Sequence, residues 1–294
     1  MEVMERIRAR LEKGDSIRYI SHLDYVRAID RAVRRAGIPI AYSEGFHPHA
    51  RIAFGPALAV GIASVAEFAD FELADCLGAG EFTSRMNSVL PAGLSILESR
   101  SIPTDWKPLS VAIVAASYRL VIAAPDIEGD AEWRGERGAG RPGSGPGSGA
   151  RALERLERAV REVLEARSLI VRRSKERYPG GGATGERVEE RDVDIRPSLL
   201  GLRLARGSGY AGYAATAAGC CVGLDALVRL GGGAGSVATA RPDEILSVLA
   251  MHGGIARGME LASITRTGLY VSRDGRLLSP MEFEGDMSSP QGTY

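Results

Sequence analysis

VMERIRARLEKGDSIRYISHLDYVRAIDRAVRRAGIP, residues 3–39, holds the change of period on which the fold reading rests. Ile7, Ala9 and Leu11 alternate with Arg6, Arg8 and Arg10, a two-residue rhythm, so residues 3–20 read as extended. From Ser21 the spacing becomes three and four. Leu23, Val26, Ile29, Ala32 and Val33 then fall on one helical face, with Arg27, Arg31, Arg34 and Arg35 largely off it. Ser21 is a good N-cap, and Asp24 sits where a capping box carries its acidic or amide residue. Gly37 and Pro39 stop the helix.

Outward from this stretch, 40–60 reads as loop and strand and 64–73 as strand. Glu81 to Val89 reads as a short helix ended by Pro91, and 94–102 as strand. Strand–helix–strand–strand–helix–strand is the ferredoxin-like order, built on an antiparallel sheet. A second unit starts near Val111, with a strand at 118–123. The Gly-, Pro- and Ser-rich stretch 129–149 reads as a flexible insertion. The clearest helix follows at 151–167, its stripe set by Leu153, Leu156, Val160, Val163 and Leu164. Strands are expected near 168–174, 187–195, 199–206 and 222–230, a helix after Pro242, and a last strand near 259–267. The expected architecture is α+β: two ferredoxin-like (βαββαβ) units in tandem, antiparallel sheets with helices on one face. Unit boundaries are expected at 1–106 and 107–278, with a disordered polar tail at 279–294.

Composition excludes several classes. Of 294 residues, Lys plus Arg and Asp plus Glu number 37 each, so no global basic field holds nucleic acid. Three cysteines (Cys76, Cys220, Cys221) without a CxxC make neither a disulfide framework nor an iron–sulfur motif, and the adjacent pair reads as small buried side chains. No apolar run approaches a membrane span, and the first residues lack a signal-peptide core, so a cytoplasmic location is expected. No P-loop, GxSxG or HExxH is present. No cofactor and no metal are expected.

The chemistry concentrates in a few segments. Ile17 to Asp24 puts Tyr19, His22 and Asp24 at a strand-to-helix junction, where backbone N–H groups favour anions and a histidine binds phosphate, moves a proton or caps the helix. Ala41 to His49 packs Tyr42, Glu44, Phe46, His47 and His49 around Gly45 and Pro48. Its aromatics suit stacking on bases and Arg51 suits a phosphate. The same residues also suit a packed hairpin loop or, short of a clear third ligand, a weak metal site. Arg27, Arg31 and Arg34 form either a basic ribbon or a solvated helix face. Lys175 lies in the basic run 172–177 before a Gly-rich loop, and Asp194 and Arg196 follow in DVDIRP; Lys175 and Arg196 are expected to hold phosphate with Asp194 orienting them, or to sit in a salt-bridged strand.

Together RYISHLDYVRAIDRAVRRAGIPIAYSEGFHPHARIAFGPALAVG, SVAEFADFEL, DVDIRP, ARPDEIL and SITRTGLY resemble the radical-SAM-associated domain-of-unknown-function family in its stand-alone form. The resemblance covers most of residues 4–270 apart from 129–149. His47 departs from it, since members often carry Asn there, and His49 is a variable position. It implies a separately encoded radical-SAM partner working on RNA or a ribosomal component.

The expected function is a non-catalytic accessory protein that binds RNA or presents a substrate to that enzyme, with no DNA and no membrane involved. The expected RNA contacts are Arg27, Arg31, Arg34, Tyr42, Phe46, Arg51, Lys175 and Arg196. Tyr19, His22, Glu44, His47 and Asp194 are expected to line a polar cleft. One alternative is a protein scaffold docking the partner without RNA. Another is a metal-independent RNA endonuclease, with His22 taking the 2′-OH proton and Lys175 stabilising the phosphate.

Overall fold

The computed structural model describes residues 3–123, 148–177, 187–205, 221–231, 237–253 and 260–282. Within them the chain is mixed α/β, dominated by a large mixed sheet with few helices. It divides into two compact units, Met1–Tyr118 with Ile264–Tyr294, and Arg119–Ser263. The division falls inside a strand rather than between residues 106 and 107, and the first unit recruits sequence from far downstream.

The first unit contains β1 (Glu5–Lys13), α1 (His22–Arg35), β2 (Ile52–Phe54), β3 (Ala63–Leu73), α2 (Ala79–Asn87), β4 (Leu94–Ile102) and the short α3 (Leu109–Ala112). The start of β5 (Ile113–Ala123), the end of β10 (Glu260–Arg273) and β11 (Arg276–Leu278) complete it. Strands run in the order β4-β1-β3, with β2 also on β3. These pairings are antiparallel. The expectation of purely antiparallel sheets is corrected at β10, which joins β3 in parallel through Thr265↔Ala63 and Arg266↔Ser64.

The alternation of β1 has its expected effect on one face. Ile7, Ala9 and Leu11 are fully buried, packed with Phe71 of β3, Ile29 of α1 and Phe82 of α2. Ser21 caps α1 by accepting from the Asp24 N–H at 3.1 Å. The buried stripe of α1 is Tyr25, Ile29, Ala32 and Val33, whereas Leu23, expected inside, is exposed. A tyrosine thus takes the inward position in the first turn.

The opposite face of β1 is not a solvent face. Arg6 and Arg8 flank Asp70, at 2.9 and 2.7 Å, and all three are buried. Arg8 also donates to the Pro280 carbonyl at 3.1 Å and lies over the Trp106 ring. Arg100 donates to the Met281 carbonyl, and Met281 is buried. The expectation of a disordered tail from 279 is therefore corrected for Ser279–Glu282, which these arginines tie down; 283–294 lie outside the described residues.

The second unit contains the rest of β5, α4 (Ser148–Glu165), β6 (Ile170–Arg177), β7 (Arg187–Asp194), β8 (Leu199–Leu204), β9 (Cys221–Arg229), α5 (Pro242–Gly253) and the start of β10. Its strand order is β10-β5-β9-β8, while among the described residues β6 and β7 pair with each other in a separate two-stranded sheet. Leu156, Ala159 and Val163 of α4 and Ile245, Val248 and Leu249 of α5 are buried in its core. The insertion expected at 129–149 lies outside the described residues except for 148 and 149, which open α4. Cys220 also lies outside them, as does the side chain of Cys221. No helix among the described residues is long and apolar enough to cross a membrane.

Candidate functional site

β1 and β3 hold regular register from Glu5↔Leu73 to Leu11↔Glu67, and then Lys13 pairs with Ser64. Two steps on β1 thus match three on β3, a bulge. Residues three apart on a regular strand point to opposite faces, but a bulge resets the alternation. Ser64 and Glu67 therefore come to one face with Lys13, and Arg266 of β10 is registered beside Ser64. Tyr25 enters from the first turn of α1. Lys13, Tyr25, Ser64, Glu67 and Arg266 are all buried.

Most of this polar centre is tightly bonded. The Arg266 guanidinium donates to both Glu67 oxygens at 3.1 and 3.3 Å, and to the carbonyls of Pro56 and Ala57 at 2.9 Å each. Tyr118 lies 5.8 Å from the same guanidinium. The Lys13 ammonium donates to the carbonyls of Arg18 and Ile20 at 3.0 and 3.1 Å. Gly61, at φ 87°, bonds Arg18 at 2.9 Å and so joins the loop before β3 to the turn before α1. Within this centre two buried atoms, the Tyr25 hydroxyl and Arg266 Nε, have no hydrogen-bond partner among the described residues.

The electrostatics follow from this packing. Burial pulls the Lys13 ammonium below the usual lysine range; Glu67 acts against that shift and Arg266 with it. Burial pushes the Tyr25 hydroxyl well above the usual tyrosine range, with Glu67 adding and Arg266 opposing. Tyr25 is therefore a neutral donor at neutral pH. Beside it, the His22 ring stacks on Tyr25 at 6.3 Å and meets Phe54 edge-on at 6.2 Å. Tyr19 is exposed nearby in sequence, its hydroxyl accepting from Arg18 at 3.0 Å.

The segment 42–50 forms a closed loop. Tyr42 bridges Ala50, the Ser43 N–H donates to the His49 carbonyl at 2.9 Å, and the His49 N–H donates to the Ser43 hydroxyl at 3.0 Å. Glu44, Phe46, His47 and His49 face solvent, with Phe46 completely exposed. Arg51 pairs with Glu72. Arg27, Arg31 and Arg34 are exposed on α1; Arg27 pairs with Asp24 at 3.6 Å and Arg34 with Asp30 at 3.0 Å, the pattern of a solvated helix face. Among the described residues no group of three metal-ligating side chains gathers.

Of the two phosphate holders expected in the second unit, Arg196 bonds the backbone, and the Lys175 side chain lies outside the described residues. Arg196 donates to the carbonyls of Leu164, Ala166 and Leu199 at 2.7, 3.1 and 2.9 Å. Asp194 accepts from the Leu169 and Arg196 N–H groups at 2.8 and 3.0 Å. This corrects the expectation that Asp194 lines a cleft and orients a phosphate-binding Arg196: the two close the C-terminus of α4 onto the start of β8. Lys175 sits on β6 in register with Glu189.

Four residues of the polar centre, Lys13, Tyr25, Glu67 and Arg266, were not singled out by sequence pattern. Glu67 carried a signal: of the three acidic residues in SVAEFADFEL it is the one in two-residue step with Ala69, Phe71 and Leu73. Arg266 carried a similar one in SITRTGLY. What hid them was the bulge, which no local pattern announces.

Residues 6–223 match the family described as "Uncharacterized protein conserved in bacteria (DUF2344)". No curated protein matches. Among solved structures the chain is similar to one from "Crystal Structure of a Cbf5-Nop10-Gar1 Complex", at 10% identity and a TM-score of 0.38, over 90% of this chain and 48% of that one. This chain thus spans about half the length of that solved chain, and the likeness carries no argument.

Proposed function

The chain belongs to the DUF2344 family, and on that premise we propose that it is a cytoplasmic accessory protein that binds RNA or presents it as substrate to a separate radical-SAM enzyme. The radical-SAM association rests on the ordered motifs from RYISHLD to SITRTGLY. The observation that carries RNA binding is the 42–50 loop. Cross-loop hydrogen bonds close it, yet it holds Phe46 entirely in solvent between Glu44 and His47. An aromatic face held open by backbone bonds costs little further ordering when a base stacks on it.

We also propose that each unit is ferredoxin-like. Supporting this, β4-β1-β3-β2 and β10-β5-β9-β8 repeat one order, with a helix after the first and third strands of each. The β6–β7 hairpin is then an insertion in the second.

The test is an anaerobic pull-down of the tagged protein from lysate of its own source, with RNA and protein sequenced from one eluate. The expected result is a discrete RNA together with a radical-SAM protein. Phe46→Ala, which removes no buried contact, is expected to leave the fold intact and weaken RNA retention by about 1–3 kcal/mol. Recovery of the partner enzyme without RNA would replace this reading with a docking scaffold.

A further inference from the structure

The polar centre carries an imbalance. Arg266 meets Glu67 directly, and Lys13 and Arg266 are both registered on Ser64, so the three charged groups share one face of the sheet. Two cations and one carboxylate leave one positive charge in excess. All three are buried, where an uncompensated charge is costly. Glu67 is already committed to Arg266, with both oxygens in contact.

The unpartnered atoms are of the matching kind. Tyr25 Oη carries a proton at neutral pH and Arg266 Nε is a donor; neither has a hydrogen-bond partner among the described residues. Lys13 has two carbonyl partners for three N–H donors. Unused donors and one excess positive charge occur in the same buried group, and the Pro56, Ala57, Arg18 and Ile20 carbonyls around it are already engaged.

We propose that Lys13, Tyr25 and Arg266 form a binding site for a small monovalent anion of halide size. A monoanion balances the charge and accepts from the free donors at once. A dianion would over-neutralise the centre, and a cation would meet donors only. Ser64 and the bulge in β3 set the site's geometry, because they hold Glu67 and Arg266 on the same face as Lys13. The site is independent of the RNA-binding loop.

The test titrates the full-length protein with sodium chloride, sodium gluconate holding ionic strength constant, and follows the thermal midpoint. The expected result is a saturable rise with chloride, as for any ligand bound by the native state alone. Bromide soaked into crystals is expected to give one anomalous peak in contact with Lys13 Nζ and Tyr25 Oη. Tyr25→Phe keeps the charge and removes one donor, so chloride dependence is expected to weaken about threefold to tenfold. Lys13→Met balances Glu67 against Arg266 and is expected to abolish it. Should Lys13→Met fail to fold, the Tyr25→Phe titration and the bromide peak decide alone. Equal midpoints in chloride and gluconate, a bromide peak elsewhere, or a chloride effect unchanged in Tyr25→Phe would each overturn the assignment.

Discussion

Glu67→Gln is the sharpest perturbation of the polar centre. It keeps the shape of the side chain and one acceptor for Arg266, and removes only the charge. Wild-type Glu67 faces two buried cations, one in direct contact at 3.1 Å. A unit charge at about 4 Å in an effective dielectric of about 20 is worth roughly 4 kcal/mol. Breaking a buried pair from one side costs about 3–5 kcal/mol in general. At about 2 °C per kcal/mol for a chain of this length, the thermal midpoint is expected to fall by roughly 6–10 °C. The assay is a melt followed by circular dichroism at constant chloride. A second variant separates charge from packing: Glu67→Gln combined with Arg266→Met removes the nearer of the two stranded cations and is expected to recover about half of the loss. A fall of under about 2 °C for Glu67→Gln, or a double variant less stable than the single, would refute the reasoning.

Two further outcomes follow from the same geometry. The lowered Lys13 value means that the unfolded chain holds that proton to higher pH than the folded one, so stability rises with pH through the window below 10.5. The raised Tyr25 value has the opposite sign, because above 10.0 the unfolded tyrosine ionises first, so stability falls from there. Urea midpoints across the alkaline range check both: Lys13→Met should flatten the rise and Tyr25→Phe the fall, and an unchanged profile in either variant contradicts the assignment. Arg196→Ala removes three bonds to carbonyls around the end of α4 and is expected to cost about 2–3 kcal/mol in chemical denaturation. It should leave the affinity for a labelled single-stranded RNA unchanged, and a selective loss of that affinity would return Arg196 to the binding surface.

Element positions were readable from periodicity wherever one face was apolar and regular. The strand expected at 94–102 matches β4, and Ser21, Gly37 and Pro39 marked the limits of α1. Reading failed where a side chain's partner lay far along the chain. Arg6, Arg8 and Arg10 alternate as an exposed face should, yet Arg6 and Arg8 are buried because Asp70, Trp106 and Pro280 meet them. Leu23 and Tyr25 exchanged places because hydrophobicity alone cannot tell that polar groups wait beneath the first turn of α1. In the candidate site, composition marked the polar and aromatic loop 42–50 but not the cross-loop bonds that close it, and Asp194 and Arg196, which looked like ligand binders, bond the backbone. A short local pattern states residue type but not whether nearby carbonyls have already claimed the donors.

The first unit draws on both ends of the described chain, and this fixes an order of events on the ribosome. Lys13, Tyr25 and Glu67 are synthesised early, but Arg266 and the Pro280 carbonyl that meets Arg8 emerge only after the whole second unit. At typical elongation speeds that interval lasts on the order of ten to thirty seconds. Throughout it Glu67 lacks its guanidinium and β3 lacks its parallel neighbour. The second unit, by contrast, lies in one continuous stretch and can complete itself first. The stretch of the first unit that is made before the second unit therefore matures after it, and a nascent chain halted before residue 264 would present an open strand edge to whatever chaperone meets it.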